Sequence, residues 1–149
     1  MKNIYYWICS YPLEKGSVVN PGNWGRILDF YIYPDASANY LKEKIFEEVR
    51  RENYSAKPSR LKSIFLCETL EEIRKFKMEN NRNLDLIYKV KLVMNAPIFR
   101  TNYQLMNIPN GTVISKIEAF AQKYWSEEPY QNIEILVEAK IEILERVAT

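Results

Sequence analysis

The chain has 149 residues, of which 47% are apolar and 27% charged, and its formal charge is +2 at pH 7. This composition argues against a disordered or fibrous protein, and the small net charge argues against nucleic-acid binding through bulk electrostatics. The sequence contains no histidine, which excludes catalytic triads with a histidine base and nearly all zinc sites. We therefore expect one domain over residues 1–149, long enough to bury a core, without a bound metal.

The first residues and the two cysteines bear on the cellular compartment. Residues 1–16 contain a short apolar run broken by Ser10 and Pro12, so this segment lacks the design of a signal peptide or a membrane span. Cys9 and Cys67 lie in separate apolar runs and form no metal or redox spacing. We expect buried free thiols in a reducing cytoplasm and no association with a membrane.

The first third of the sequence predicts two strands, a loop between them and one helix. The aromatic run at 4–11 and the run at 26–33 are the predicted strands, with a glycine-containing loop between them. Residues 37–53 have the spacing of an amphipathic helix, with Asp35 or Ser37 as its cap. The predicted apolar face of this helix consists of Leu41, Ile45, Phe46 and Val49, with Glu and Lys side chains opposite.

The rest of the sequence predicts four strands and two helices. Residues 63–67 form a short apolar strand, and Thr69 and Glu72 stand at capping-box spacing at the start of the next helix. Residues 86–93 alternate around two lysines, which predicts a strand with one wet face near a sheet edge. A loop over 97–111, a helix over 113–125 and the strands NIEILVE and KIEILERV complete the predicted order.

The predicted order of elements is β, β, α, β, α, β, α, β, β. Strands and helices alternate too irregularly for a doubly wound parallel sheet, so the pattern indicates an α+β fold. No GxGxxG motif follows the first strand, and no GxxxxGK[ST] motif occurs. A nucleotide would therefore bind without either of the two common phosphate-binding loops.

Three segments carry a resemblance to a known superfamily: the aromatic first strand with PLEKG behind it, PSRLKSIFLCETLEEI at 58–73, and YWSEEPYQNIEILVEAKIEIL at 124–144. In this order they resemble the ADP-ribosyltransferase superfamily. Within it the chain is similar to the small rifampin-type ADP-ribosyltransferases and to a bacterial and phage family of the same outline, of which NPGNWGR at 20–26 is a further mark. The resemblance implies an ADP-ribosyltransferase-like domain with a split antiparallel or mixed sheet and about three helices.

The resemblance also implies an enzyme that transfers ADP-ribose from NAD, its substrate, to a macromolecular acceptor, either single-stranded nucleic acid or a protein. A role as a toxin or phage-conflict effector, with a neutralising antitoxin protein as partner, is common in the superfamily. The basic run from Arg50 to Lys62 would suit phosphate contacts, although a solvated helix end also explains it. The alternative function is a catalytically inactive module that binds an NAD-type ligand or a partner protein.

The implied reaction needs a carboxylate beside the ribose of NAD, where positive charge develops as nicotinamide leaves. Glu134, Glu138 and Glu142 share a period-2 spacing and could simply mark the wet face of the last strands. The resemblance selects Glu134. Rifampin-type relatives carry their acid in the loop after the middle strand, where this chain has Asn102 and no carboxylate. We name Glu134 and Arg60 as the candidate catalytic residues.

Arginine can bind the pyrophosphate of NAD through paired hydrogen bonds. Gly22 and Gly25 would let the backbone approach a ligand to which Arg26 presents its charge, but a turn in which Arg26 makes a structural hydrogen bond has the same pattern. Ser59 and Arg60 form a second candidate contact, with phosphate or with the nicotinamide ribose. Solvation of Arg60 at a helix end is the alternative interpretation.

The remaining candidate NAD contacts are Trp7, Ser10, Tyr124 and Trp125. Relatives often place histidine or arginine in the opening strand, where this chain has Trp7, which can stack on a base or on nicotinamide but carries no charge. Either Arg26 or Arg60 compensates, or the activity is altered or lost. Tyr124 and Trp125, at the end of a helix, border the cleft or belong to the core.

Overall fold

The computed structural model describes residues 3–32 and 37–148, and for Ser37 it describes the backbone alone. The strands are β1 Ile4–Cys9, β2 Val18–Val19, β3 Ile64–Leu66, β4 Leu86–Leu92, β5 Ile98–Asn102, β6 Ile133–Val137 and β7 Ile141–Val147. The helices are α1 Asn23–Leu28, α2 Ser37–Asn53, α3 Leu70–Glu79 and α4 Ile114–Ser126, with 3₁₀ turns at Arg60–Lys62 and Tyr103–Met106. The predicted α+β class is confirmed.

The strands of the described residues form two sheets. One sheet has the order β1-β4-β7-β2 and the other the order β3-β6-β5, and every pairing within them is antiparallel. A single backbone bridge joins the sheets, in which Tyr6 and Cys67 exchange N–H···O bonds of 2.9 and 3.0 Å. The predicted split sheet is therefore present, with antiparallel rather than mixed pairing.

The two sheets separate on one side of the Tyr6–Cys67 bridge. β1 continues through Trp7 to Cys9 and pairs with β4 on its other edge, while β3 pairs with β6 on its other edge. The facing edges of β1 and β3 consequently lack a strand partner beyond the bridge among the described residues. This opening in the sheet positions the candidate site.

α2 and α4 cover the second sheet, whereas α3 packs against β1 of the first sheet. The predicted helix α2 is confirmed, and Phe46 and Val49 of its predicted apolar face are buried against α4, whereas Leu41 is 42% exposed. The predicted cap of α3 is also confirmed, since Thr69 Oγ1 accepts a hydrogen bond of 3.1 Å from the Glu72 N–H. The predicted cap residue Asp35 lies outside the described residues.

The prediction of a strand over 26–33 is wrong, because residues 23–28 form helix α1. Gly22 precedes the helix with φ 95°, a conformation that glycine adopts without strain. α1 lies so close to the neighbouring 3₁₀ turn that a Cβ on Gly25 would sit 2.2 Å from the Leu61 carbonyl oxygen. This close approach, which no local pattern encodes, leaves no room for a side chain at position 25. The end of the predicted strand, at residue 33, lies outside the described residues.

Two further predictions about strands differ from the structure. β4 was expected near a sheet edge, but it is central, with β1 on one side and β7 on the other. Alternation of side chains indicates one wet face and says nothing about the two edges, so the pattern could not locate the strand within its sheet. The predicted loop over 97–111 contains β5, which pairs with β6. Within the described ranges, every helix is too short or too polar to cross a lipid bilayer.

Candidate active site at the split between the sheets

A cavity of about 860 Å³ opens where β1 and β3 separate. Its lining comes from the end of β1, the segment from Val18 to Ile27, β3, α3 and the start of β6. Pockets that bind small molecules commonly have volumes of about 300–1,000 Å³. The cavity is therefore large enough for a ligand of considerable size.

Glu134 on β6 lines this cavity although it is only 4% exposed. Its Oε1 accepts hydrogen bonds from Arg60 Nη1 at 3.0 Å and from the Tyr124 hydroxyl at 2.9 Å. Its Oε2 accepts no hydrogen bond from any described residue. Burial raises the pKa of Glu134, while Arg60 and Tyr124 act in the opposite direction. One carboxylate oxygen is thus fixed by the protein, and the other has no partner among the described residues.

Arg60 connects Glu134 to a second buried carboxylate, that of Glu43 on α2. The Arg60 Nε lies 3.0 Å from Glu43 Oε2, and Nη2 lies 3.1 Å from Glu43 Oε1. The guanidinium carbon lies 4.8 Å from the centre of the Phe65 ring and 5.4 Å from that of Tyr124. Burial would lower the pKa of Arg60, but the two carboxylates outweigh it and raise that pKa well above its ordinary value. Arg60 is therefore a permanent cation within this cluster.

Glu43 also contacts the wall of the cavity. It is 2% exposed, and its Oε1 accepts a hydrogen bond of 2.9 Å from the indole N–H of Trp24 on α1. The amphipathic spacing of α2 predicts its Glu side chains on the solvent face, and Glu43 was therefore missed as a site residue. The available signal was its spacing three residues before Phe46, which puts both side chains on one helical face.

A family model described as "Protein of unknown function (DUF2441)" matches residues 12–149. The chain belongs to the DUF2441 family. The matched region contains Trp24, Glu43, Arg60 and Glu134, and it begins after β1. A comparison with curated proteins finds no match.

The structure brings five predicted site residues of this DUF2441 member to one cavity, whose lining includes Trp7, Ser10, Arg26, Arg60 and Glu134. The ring of Trp7 is tilted against a neighbouring tyrosine, with ring centres 6.1 Å apart. Arg26 is exposed, and its Nε and Nη2 donate to an asparagine Oδ1 at 3.2 and 2.8 Å. Arg26 forms no ion pair with a described residue, so its charge remains available to a ligand.

The structure places three other predicted NAD contacts outside the cavity lining. Ser59 is buried, and its hydroxyl lies 3.1 and 3.0 Å from the carboxylate oxygens of Glu47. Trp125 is fully buried in the core, where its indole N–H donates to the Phe46 carbonyl at 2.9 Å. Tyr124 is also fully buried, and its hydroxyl is hydrogen-bonded to Arg60 and Glu134. Their hydrogen bonds to the protein hold these side chains in the interior, so we do not carry forward a direct contact with NAD for any of them.

In the basic run of this DUF2441 chain, Arg50 to Lys62, two side chains are held in internal contacts, those of Arg50 and Arg60, whereas Arg51 and Lys62 are exposed. Arg50 Nε donates to Glu47 at 2.7 Å, and Arg50 Nη1 donates to two backbone carbonyls at 3.3 and 3.0 Å. Burial would raise the pKa of Glu47, but its bonds with Arg50 and Ser59 leave that pKa lowered. Arg60 belongs to the buried cluster. Among the described residues, no group of three or more Cys, Asp or Glu side chains could hold a metal ion.

Proposed function

We propose that this DUF2441 protein is an NAD-dependent ADP-ribosyltransferase in which Glu134 supplies the carboxylate beside the ribose of NAD. The observation that carries the proposal is the state of its two oxygens. Oε1 accepts hydrogen bonds from Arg60 and Tyr124, whereas Oε2 has no partner among the described residues. Glu134 lines the cavity of about 860 Å³. An ionised carboxylate oxygen accepts hydrogen bonds only, so Oε2 is available to a hydroxyl group of a ligand in the cavity.

The proposed reaction breaks the bond between C1′ of the ribose and the nitrogen of nicotinamide. Nicotinamide leaves with the bonding electron pair, and positive charge develops on the ribose. The carboxylate of Glu134 stabilises this charge, and its Oε2 accepts a hydrogen bond from a ribose hydroxyl. A nucleophile of the acceptor then forms the new bond to C1′ and loses its proton to solvent or to a base. The net result is transfer of ADP-ribose with release of nicotinamide.

Arg26 and Trp7 provide the proposed contacts with the rest of NAD. The Arg26 guanidinium uses two of its nitrogens on an asparagine and has no ion pair with a described residue, so it can donate to pyrophosphate oxygens. Trp7 offers a flat ring in the cavity wall for stacking on a base. Arg26 therefore supplies the cationic contact that Trp7, in the opening strand, cannot make.

We propose a protein as the acceptor and the cytoplasm as the compartment. Of the five basic side chains in the run that would suit single-stranded nucleic acid, Arg50 is bound to Glu47 and to backbone carbonyls and Arg60 belongs to the buried cluster, which removes these two from the proposed phosphate-binding surface. Cys9 and Cys67 are free and buried, as in proteins of reducing compartments. On the resemblance, we also propose a toxin or phage-conflict role with a neutralising protein partner.

The test is to incubate the protein with NAD labelled in either the nicotinamide or the adenosine part, with and without cell lysate. The wild type should release nicotinamide and label a protein acceptor, and E134Q should abolish both. The matched control is E138Q, because Glu138 lies four residues further along and is exposed. E138Q should turn over at the wild-type rate.

Other outcomes of this test discriminate between the functions. Thermal stabilisation of the wild type by NAD without nicotinamide release would identify a binding module, which is the function that Trp7 in the opening strand favours. Labelling of nucleic acid in the lysate would show that the acceptor is a nucleic acid and not a protein. If NAD neither stabilises the wild type nor is cleaved to nicotinamide, the proposal is refuted.

A further inference from the structure

We propose that Glu43 is a positioning residue for Glu134: it holds Arg60 so that only one oxygen of Glu134 is taken, and it fixes the Trp24 wall of the same cavity. This inference rests on the proposed function and concerns a residue that does not itself line the cavity. It assigns a role to a carboxylate on the buried face of α2.

The geometry of Arg60 is the first part of the case. Its Nε and Nη2 form one edge of the guanidinium, and both lie about one hydrogen-bond length from Glu43, at 3.0 and 3.1 Å. A two-bond contact of this kind fixes the plane of the guanidinium. Only Nη1 then remains near Glu134, and it is shared with the Tyr124 hydroxyl, which lies 2.6 Å away. The guanidinium therefore reaches Oε1 of Glu134 and leaves Oε2 without a protein donor.

Loss of the Glu43 charge would change this division of donors. With no carboxylate on its Nε edge, Arg60 can turn and use two nitrogens on Glu134, since paired bonds to a carboxylate are its preferred geometry. Oε2 would then be occupied by the protein. Glu134 would keep its charge but lose the free oxygen that the proposed reaction uses.

The contact with Trp24 is the second part of the case. The same Oε1 of Glu43 that lies 3.1 Å from Arg60 Nη2 accepts the indole N–H at 2.9 Å. Trp24 and Arg26 stand on the short helix α1 and both line the cavity. Glu43 thus ties the position of α1 to that of the catalytic carboxylate.

Glu47 offers a matched control on the same helix. It lies one turn beyond Glu43, is 6% exposed and is paired with Arg50 at 2.7 Å. Its carboxylate also accepts from Ser59 and does not line the cavity. A purely structural role of a buried, arginine-paired carboxylate on α2 should therefore appear equally in E43Q and E47Q.

The experiment compares the wild type, E43Q and E47Q by two measurements. The first is the kcat and KM of nicotinamide release from NAD as a function of pH. The second is titration of the Glu134 side-chain carboxyl by carbon-13 NMR, with the signal assigned through its absence in E134Q. The ionisable groups around Glu134, from every element packed against it, are Arg60, Tyr124, Glu43, Cys67 and Tyr103.

For E43Q we expect kcat to fall by up to about 100-fold, as for a misplacement of about 1 Å at a reacting group. We also expect the pKa of Glu134 to decrease, because the negative charge of Glu43 raises it in the wild type. E47Q should change neither quantity. If E43Q fails to fold, E43D should show the same changes to a smaller extent, because it keeps the charge and retracts it by one methylene.

The inference is overturned if E43Q, or E43D in its place, matches E47Q in both the pKa of Glu134 and kcat. A wild type that releases no nicotinamide refutes the proposed function separately. The NMR titration then still decides whether Glu43 controls the electrostatics of Glu134, because it requires no turnover.

Discussion

Replacement of Arg60 by methionine tests the buried cluster most directly. Arg60 is the one cation within hydrogen-bonding distance of both Glu43 and Glu134 among the described residues, and the side chains of these two carboxylates are 2% and 5% exposed. Methionine keeps much of the apolar stem and removes the charge. Two carboxylates would then be buried without a cationic partner.

The magnitude follows from the known cost of breaking a buried ion pair, about 3–5 kcal/mol when one partner is removed. Because a small domain has a free energy of unfolding of only about 5–15 kcal/mol, R60M should lose a large fraction of its stability at pH 7. The loss should shrink in acid, since burial raises the pKa of Glu134 and its protonation removes one of the unpaired charges. The double variant R60M/E134Q should be more stable than R60M, because it has one unpaired buried charge fewer.

The assay is urea unfolding of the wild type, R60M, E134Q and R60M/E134Q at pH 7 and pH 5, followed by far-UV circular dichroism. The four free energies of unfolding give a double-mutant cycle for the Arg60–Glu134 pair. An R60M protein within about 0.5 kcal/mol of the wild type at both pH values, roughly the additivity error of such measurements, would refute the view that Arg60 neutralises this cluster.

Two further predictions concern stability. The pKa of Glu47 is lower in the folded protein than in the unfolded chain, so its ionised form stabilises the fold above a pH of about 4, and this contribution is lost as the pH falls through the lowered value. E47Q should therefore lower the free energy of unfolding by roughly 2 kcal/mol at pH 7, as for the loss of hydrogen bonds to a charged group. In urea titrations the difference from the wild type should disappear in acid, and a difference that persists there would contradict the assignment. Gly25→Ala should cost about 1–3 kcal/mol through overpacking, because the new methyl would lie 2.2 Å from the Leu61 carbonyl oxygen; an unchanged melting temperature would show that α1 can move away freely.

The elements that sequence reasoning located are those specified by neighbouring residues. α2 has a regular apolar spacing, and α3 starts at a threonine whose partner stands three residues later. α1 and β5 were missed because long-range contacts define them. The close approach of Gly25 to Leu61 fixes α1, and pairing of β5 with β6 fixes a five-residue strand inside a predicted loop.

The same distinction separates the site residues. Glu134 and Arg60 were named through a resemblance in short motifs, and the fold brings them within 3.0 Å across 74 residues of sequence. Glu43 was missed because a glutamate in an amphipathic helix ordinarily faces water. Its burial is offset by hydrogen bonds from Arg60 and Trp24, which come from distant parts of the sequence. Burial of Trp125 likewise depends on a backbone acceptor on α2 that its own segment does not reveal.

The sharing of one guanidinium between two carboxylates also constrains how this family can change over time. Neither Glu43 nor Glu134 has another cation in its hydrogen-bonding contacts with the described residues. A lineage that loses Arg60 has to neutralise at least one of the acids as well, and a lineage that first loses an acid leaves the arginine with surplus charge. These three positions should therefore be inherited or replaced as a set, even though they come from three distant parts of the gene.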